Sequence, residues 1–140
     1  MKKILIIITI MLLFLFSCKE KKVEFIKSKT LAYIILIKNV PESDSILKSE
    51  INRYIIENLP DKEKQPTLLF YEYTTNSSYF INNKPDPGGF SSYDFHSEEE
   101  IAEFSISKCK NDEMKFVGEL RFHNKYGNFY KPDTIIYKCK

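Results

Sequence analysis

Two apolar runs separated by one amphipathic helix limit the folds open to this chain more than any other feature. The first run is Thr30-Leu31-Ala32-Tyr33-Ile34-Ile35-Leu36-Ile37-Lys38. It is β-branched, aromatic and nearly continuous in hydrophobicity, as suits a central strand buried on both faces. Asn39-Val40-Pro41-Glu42 then turns the chain, and Ser43, Asp44 or Ser45 can cap a helix running to about Leu59. Leu47, Ile51, Ile55 and Leu59 recur every four residues, while Lys48, Glu50, Arg53 and Glu57 take the other side. Pro60 ends the helix. Beyond a charged linker, Thr67-Leu68-Leu69-Phe70-Tyr71-Glu72-Tyr73-Thr74 reads as a second strand. Strand, helix, strand in this order predicts a parallel crossover, and the intervening chain is long enough to make one.

The rest of the chain alternates. Ala102, Phe104 and Ile106 interleave with Glu103, Ser105 and Ser107, and Met114 to His123 repeats the pattern. After a turn at Tyr126-Gly127-Asn128, Asp133-Thr134-Ile135-Ile136-Tyr137-Lys138 gives a last strand. These three segments predict an antiparallel meander. Tyr79-Phe80-Ile81 is a further short candidate, and Ser97 with Glu100 fits a capping box over one helical turn. The expected fold class is α+β: a β-α-β unit, then an antiparallel meander, with one long helix packed on a roughly five-stranded sheet. Residues 29–140 form one domain of ordinary size, with 11 Phe and 9 Tyr to build its core in the absence of Trp. One helix covers only one face of such a sheet. The long loop and the N-terminal segment must cover the other face, or it is used for binding.

The N-terminus has a different character. Met1-Lys2-Lys3 precedes the apolar run Ile4 to Phe16, and Leu15-Phe16-Ser17-Cys18 follows on its end. The run is too short for a spanning helix, which needs about 20 residues, and suits the core of an export signal. Leu15-Phe16-Ser17-Cys18 resembles the lipobox of bacterial lipoproteins: an aliphatic residue three before the cysteine and a small residue just before it. Phe16 is bulkier than that family prefers. The resemblance implies a diacylglycerol thioether on Cys18, cleavage of residues 1–17, and acylation of the new amine by a fatty acid such as palmitate. Several acyl chains at about 0.8 kcal/mol per buried methylene would anchor the protein stably. Residues 18–28 are then a lipidated cysteine and tether, although Val23-Glu24-Phe25-Ile26 could already begin a strand. The charged Lys19-Glu20-Lys21-Lys22 resembles the surface-export signals of Bacteroidota-type lipoproteins, and serves equally as a plain spacer. The implied location is the cell envelope, on the periplasmic or surface side of a bacterial outer membrane.

Lys2 and Lys3 account for the formal net charge of +2, so the remainder is balanced. Balance gives no electrostatic case for nucleic acid. Of the candidate groups, Cys109 and Cys139 fall near strand ends in a chain bound for an oxidising compartment, which allows a disulfide. An intervening strand would hold them about two strand spacings apart unless a bulge or bend closes the gap, and two reduced thiols are the other reading. Asp94-x-His96-x-Glu98 matches no metal motif and reads as solvated loop. His123 reads as an exposed surface histidine. The loop 82–96 carries Phe90, Tyr93 and Phe95, which either anchor it over the sheet or form a binding loop. Asp44-Ser45-Ile46 and Asp133-Thr134-Ile135 resemble the O-glycosylation acceptor of the same bacterial group, a three-residue pattern of little specificity. No phosphate loop, nucleophile elbow or Cys-x-x-Cys pair occurs, and no catalytic residue, metal ligand or cofactor is indicated.

These observations favour a small membrane-anchored, non-catalytic binding module of the envelope with a protein partner. An inhibitor or immunity-type lipoprotein acting on an exogenous enzyme is the alternative. A hydrolase built around His96 is a third reading, favoured only if activity were lost in His96→Ala and kept in Phe90→Ala.

Overall fold

The computed structural model describes residues 21–29, 31–58, 67–78, 97–109 and 112–137. In chain order the elements are β1 (Glu24–Lys27), β2 (Ile34–Lys38), α1 (Asp44–Glu57), β3 (Thr67–Glu72), β4 (Glu100–Cys109), β5 (Asp112–Phe122), a 3-10 turn (Asn124–Tyr126) and β6 (Thr134–Tyr137). All six strands join one sheet in sequential order, β1-β2-β3-β4-β5-β6. Only β2 and β3, on either side of α1, pair in parallel; the other four neighbouring pairs are antiparallel. The chain is therefore α+β, with one helix among the described residues packed on a mixed sheet whose closing half is a meander.

The strand beyond the expected five is β1. Its residues lie at the end of the stretch read as tether. Phe25 pairs with Ile37 in the register and stacks on Tyr54 of α1 at 4.5 Å, with Phe70 edge-on at 6.4 Å. An apolar Phe-Ile pair inside Glu24-Phe25-Ile26-Lys27 thus finds both a ladder and a ring partner. The N-terminal segment from Glu24 onward extends the sheet and does not lie across its face. Residues 97–99 form a turn that leads into β4, so the Ser97–Glu100 pattern marks a strand entry and not a helical turn.

Sheet pleating decides the two faces. Ile35, Ile37, Leu68, Phe70, Ala102, Phe104, Leu120 and Phe122 point to α1, whose Leu47, Ile51 and Ile55 are completely buried among them. Each such aliphatic side chain contributes about 1.5–3 kcal/mol by leaving water. On the opposite face, Ile34, Leu36 and Tyr71 are at most 1% exposed and pack with Ile26, Leu31, Tyr33 and Leu69. That is why β2 needs an unbroken apolar run: both of its faces are buried.

The register also sorts the ends. Glu24 lies opposite Lys38, Ile37 opposite Glu72, Tyr71 opposite Glu100, Ala102 opposite Phe122 and Leu120 opposite Thr134. The starts of β1, β4 and β6 and the ends of β2, β3 and β5 therefore share one end of the sheet. The start of α1 is there as well, since Lys48 reaches Asp133, next to β6, at 3.1 Å and lies over the Phe122 ring.

Candidate functional site

The helix-free face of β4 and β5 is polar where that of β1 to β3 is apolar. Glu103 pairs with Arg121, Ser105 with Glu119 and Ser107 with Val117 across the ladder. Glu103, Ser105, Val117, Glu119 and Arg121 are half-buried and Ser107 is exposed. Arg121 forms an ion pair with Glu119. Three carboxylates, Glu100, Glu103 and Glu119, thus share this region with one guanidinium.

The strongest electrostatic perturbation sits where this face meets the end of the sheet at which β1 and β4 start. A register shift between Phe70 and Tyr71 places Glu100 opposite Tyr71. Its carboxylate lies 3.7 Å from His123 Nδ1, and the two side chains are only 17% and 16% exposed. Burial, reinforced by the nearby Glu103 charge, pushes the Glu100 carboxyl up to about 7. Burial also raises Glu103, against the pull of Arg121, and lowers His123. The His123 Nε2 atom is buried with no hydrogen-bond partner. Burial thus favours the uncharged form of both partners, the protonated carboxyl of Glu100 and the neutral imidazole of His123.

The surroundings hold this corner in place. The Phe129 ring lies 4.6 Å from His123, and Arg121 donates to the Phe129 carbonyl at 3.1 Å. Asn124 adopts a positive φ of 51° and donates its side-chain amide to the carbonyls of Ser97 and Glu100 at 2.8 and 3.0 Å. Asn39 does the same across the end, with φ 53° and an amide donated to the Lys22 carbonyl at 3.0 Å. Asparagine tolerates the left-handed region better than other side chains. Next to the corner, the Ser77 hydroxyl donates to the Glu72 carbonyl at 2.6 Å and accepts from the Thr74 amide, closing the turn after β3.

His123 is therefore a half-buried member of a carboxylate–imidazole contact, not the exposed surface histidine its alternation suggested. The polar phase of β5 correctly pointed it away from α1. What alternation could not show is the return of the chain at Phe129 over its ring. Glu100 was singled out only as a capping residue, since the β3–β4 register shift that brings it opposite Tyr71 has no mark in the sequence.

Cys109 is buried, follows a register shift at Lys108/Cys109 and is disulfide-bonded. The chain has three cysteines. Cys18 and Cys139 lie outside the described residues, as do Phe90, Tyr93, Phe95 and His96 and the short strand candidate 79–81. Among the described residues no group of three or more His, Cys, Asp or Glu could hold a metal ion, and no helix is long and apolar enough to cross a membrane. No protein-family model matches the chain, and no curated protein or solved structure is significantly similar to it.

Proposed function

We propose that this protein is a lipid-anchored, non-catalytic binding module of the bacterial envelope. The observation that carries the reading is the order Lys2-Lys3, Ile4 to Phe16, Leu15-Phe16-Ser17-Cys18, placed immediately before an α+β domain that begins at Glu24. Diacylglycerol on Cys18 would hold that domain at a membrane, and Cys139 would be the partner left within the chain for Cys109. The polar face of β4 and β5 offers a surface for a protein partner. Its paired charges and hydroxyls suit the polar rim of a non-obligate interface.

The anchor is tested by the intact mass of protein extracted from membranes. A chain beginning at Cys18 with added acyl mass is expected; a full-length unmodified chain overturns the reading. The partner is tested by a photo-crosslinking side chain at Ser107 in intact cells. A discrete adduct, lost when Arg121→Glu reverses the charge farther along the same face, is expected. If that site and the loop 82–96 both yield no discrete adduct, the binding-module reading fails. A one-to-one complex with a lytic enzyme would identify the inhibitor form.

A further inference from the structure

The anchored reading, on which this inference rests, leaves open how the domain sits relative to the bilayer. Chain length and surface composition constrain that orientation. The Asn39 side chain holds the Lys22 carbonyl, and β1 enters the sheet at Glu24. Only four Cα steps separate Cys18 from Lys22, at most about 14 Å of extended chain. An acylated Cys18 therefore holds the end of the sheet where β1 starts within a few residues' reach of the headgroups.

That same end gathers the exposed apolar side chains. Among the described residues five large hydrophobics are exposed: Ile46 46%, Ile56 55%, Tyr73 37%, Phe129 41% and Tyr130 89%. Ile46 lies in the first turn of α1, Tyr73 follows β3, and Phe129 and Tyr130 lie between β5 and β6. All four belong to the tether-side end; Ile56, at the far end of α1, does not. Phe129 and Tyr130 form an edge-on pair at 5.9 Å. The Lys38 ammonium lies 4.5 Å from the Tyr73 ring centre and that of Lys125 lies 4.9 Å from the Tyr126 ring centre. Tyrosine and lysine, each with an apolar body and a polar tip, are the side chains that settle at headgroup depth. Carboxylates such as Glu42 and Asp44 share this end, so apolar contact and not net charge is the attraction.

We propose that the tether-side end of the domain is a membrane-contact surface, with Ile46, Tyr73, Phe129 and Tyr130 resting in the headgroup layer of the bilayer that holds Cys18. The domain then stands with its strands pointing away from the membrane, and the polar face of β4 and β5 is presented sideways. The occupant of this surface is phospholipid.

The chain lacks tryptophan, so a single introduced indole is a clean reporter. The acylated chain is reconstituted into phosphatidylcholine vesicles with and without brominated acyl chains, carrying Tyr130→Trp or, as the far-end control, Ile56→Trp. Both positions are more than half exposed, and neither substitution disturbs the core. Bromine quenching at position 130 is expected to exceed that at position 56 by at least roughly threefold, as for an interfacial ring against one in water. Equal quenching at the two positions, or none at 130, overturns the proposed orientation. Flotation of the unsubstituted chain with the same vesicles separates the two readings. A chain that floats but shows no difference refutes the orientation alone. A chain that does not float refutes the lipid anchor, and the contact surface with it.

Discussion

At the scale of single residues, the pair formed by Glu100 and His123 makes stability depend on pH in two opposed ways. The folded state raises the Glu100 carboxyl from 4.5 to about 7. Its contribution is fully present below the unfolded value and is lost as pH rises through about 7, by at most about 3 kcal/mol for a side chain still partly in contact with water. His123 is lowered, so its contribution is present above its unfolded value and is lost as pH falls through the folded one. Glu100→Gln removes only the first effect. Urea unfolding at pH 5 and pH 8 should show the variant gaining on the wild type at the higher pH; an unchanged difference would mean that the carboxyl is ionised in the fold at both. Gly127 answers to a different constraint. A Cβ there would lie 2.7 Å from the Phe122 Cβ and 3.0 Å from an Asp133 carboxylate oxygen. Gly127→Ala should therefore cost about 1–3 kcal/mol, visible as a lowered thermal midpoint. The turn at Tyr126-Gly127-Asn128 was legible from residue types alone. The close approach that makes glycine necessary was not, because it depends on where β5 and Asp133 lie.

Among the elements, α1 shows which sequence signals translate directly. The four-residue spacing of Leu47, Ile51 and Ile55 identified its buried stripe, and the apolar run before it identified a strand covered on both faces. Ile51→Ala should cost about 2–5 kcal/mol in denaturant unfolding, since the site is fully buried between α1 and the sheet. The cap was only half legible. Ser43 occupies the capping position, but its side chain bonds the Ser45 hydroxyl at 2.9 Å and makes no capping bond. Ser43→Ala should accordingly cost a few tenths of a kcal/mol, where a bonded cap would cost about 1. A loss near 1 kcal/mol in the same assay would restore the capping bond. β1 was harder to read because four residues give too short a period. Its place is decided by a ladder partner and a ring partner, both distant in sequence.

For the molecule as a whole, the meander and the α+β class followed from alternation, and the disulfide did not. A strand intervenes between β4 and β6, as the sequence implied. The register shift at Lys108/Cys109 is the irregularity that counting strand spacings could not supply. A bond from Cys109 to Cys139 would close a loop of about 30 residues and contribute about 3–4 kcal/mol. Reductant, or Cys109→Ser, should lower the denaturant midpoint by a corresponding amount; an unaffected midpoint would show that the bond adds nothing to this domain. The binding loop was an expectation from the aromatic residues of 82–96, and the lipid anchor is what the resemblance of Leu15-Phe16-Ser17-Cys18 to a lipobox implies.

The order of strands across the sheet is the order of strands along the chain. No strand has to be inserted between two that are already paired, and only the β2–β3 pairing waits for a helix to form between its members. A chain emerging N-terminus first can therefore lay down its sheet one edge at a time, each new strand finding its template already in place. The growing edge is then exposed only until the next segment arrives, and no connection has to thread between strands already paired.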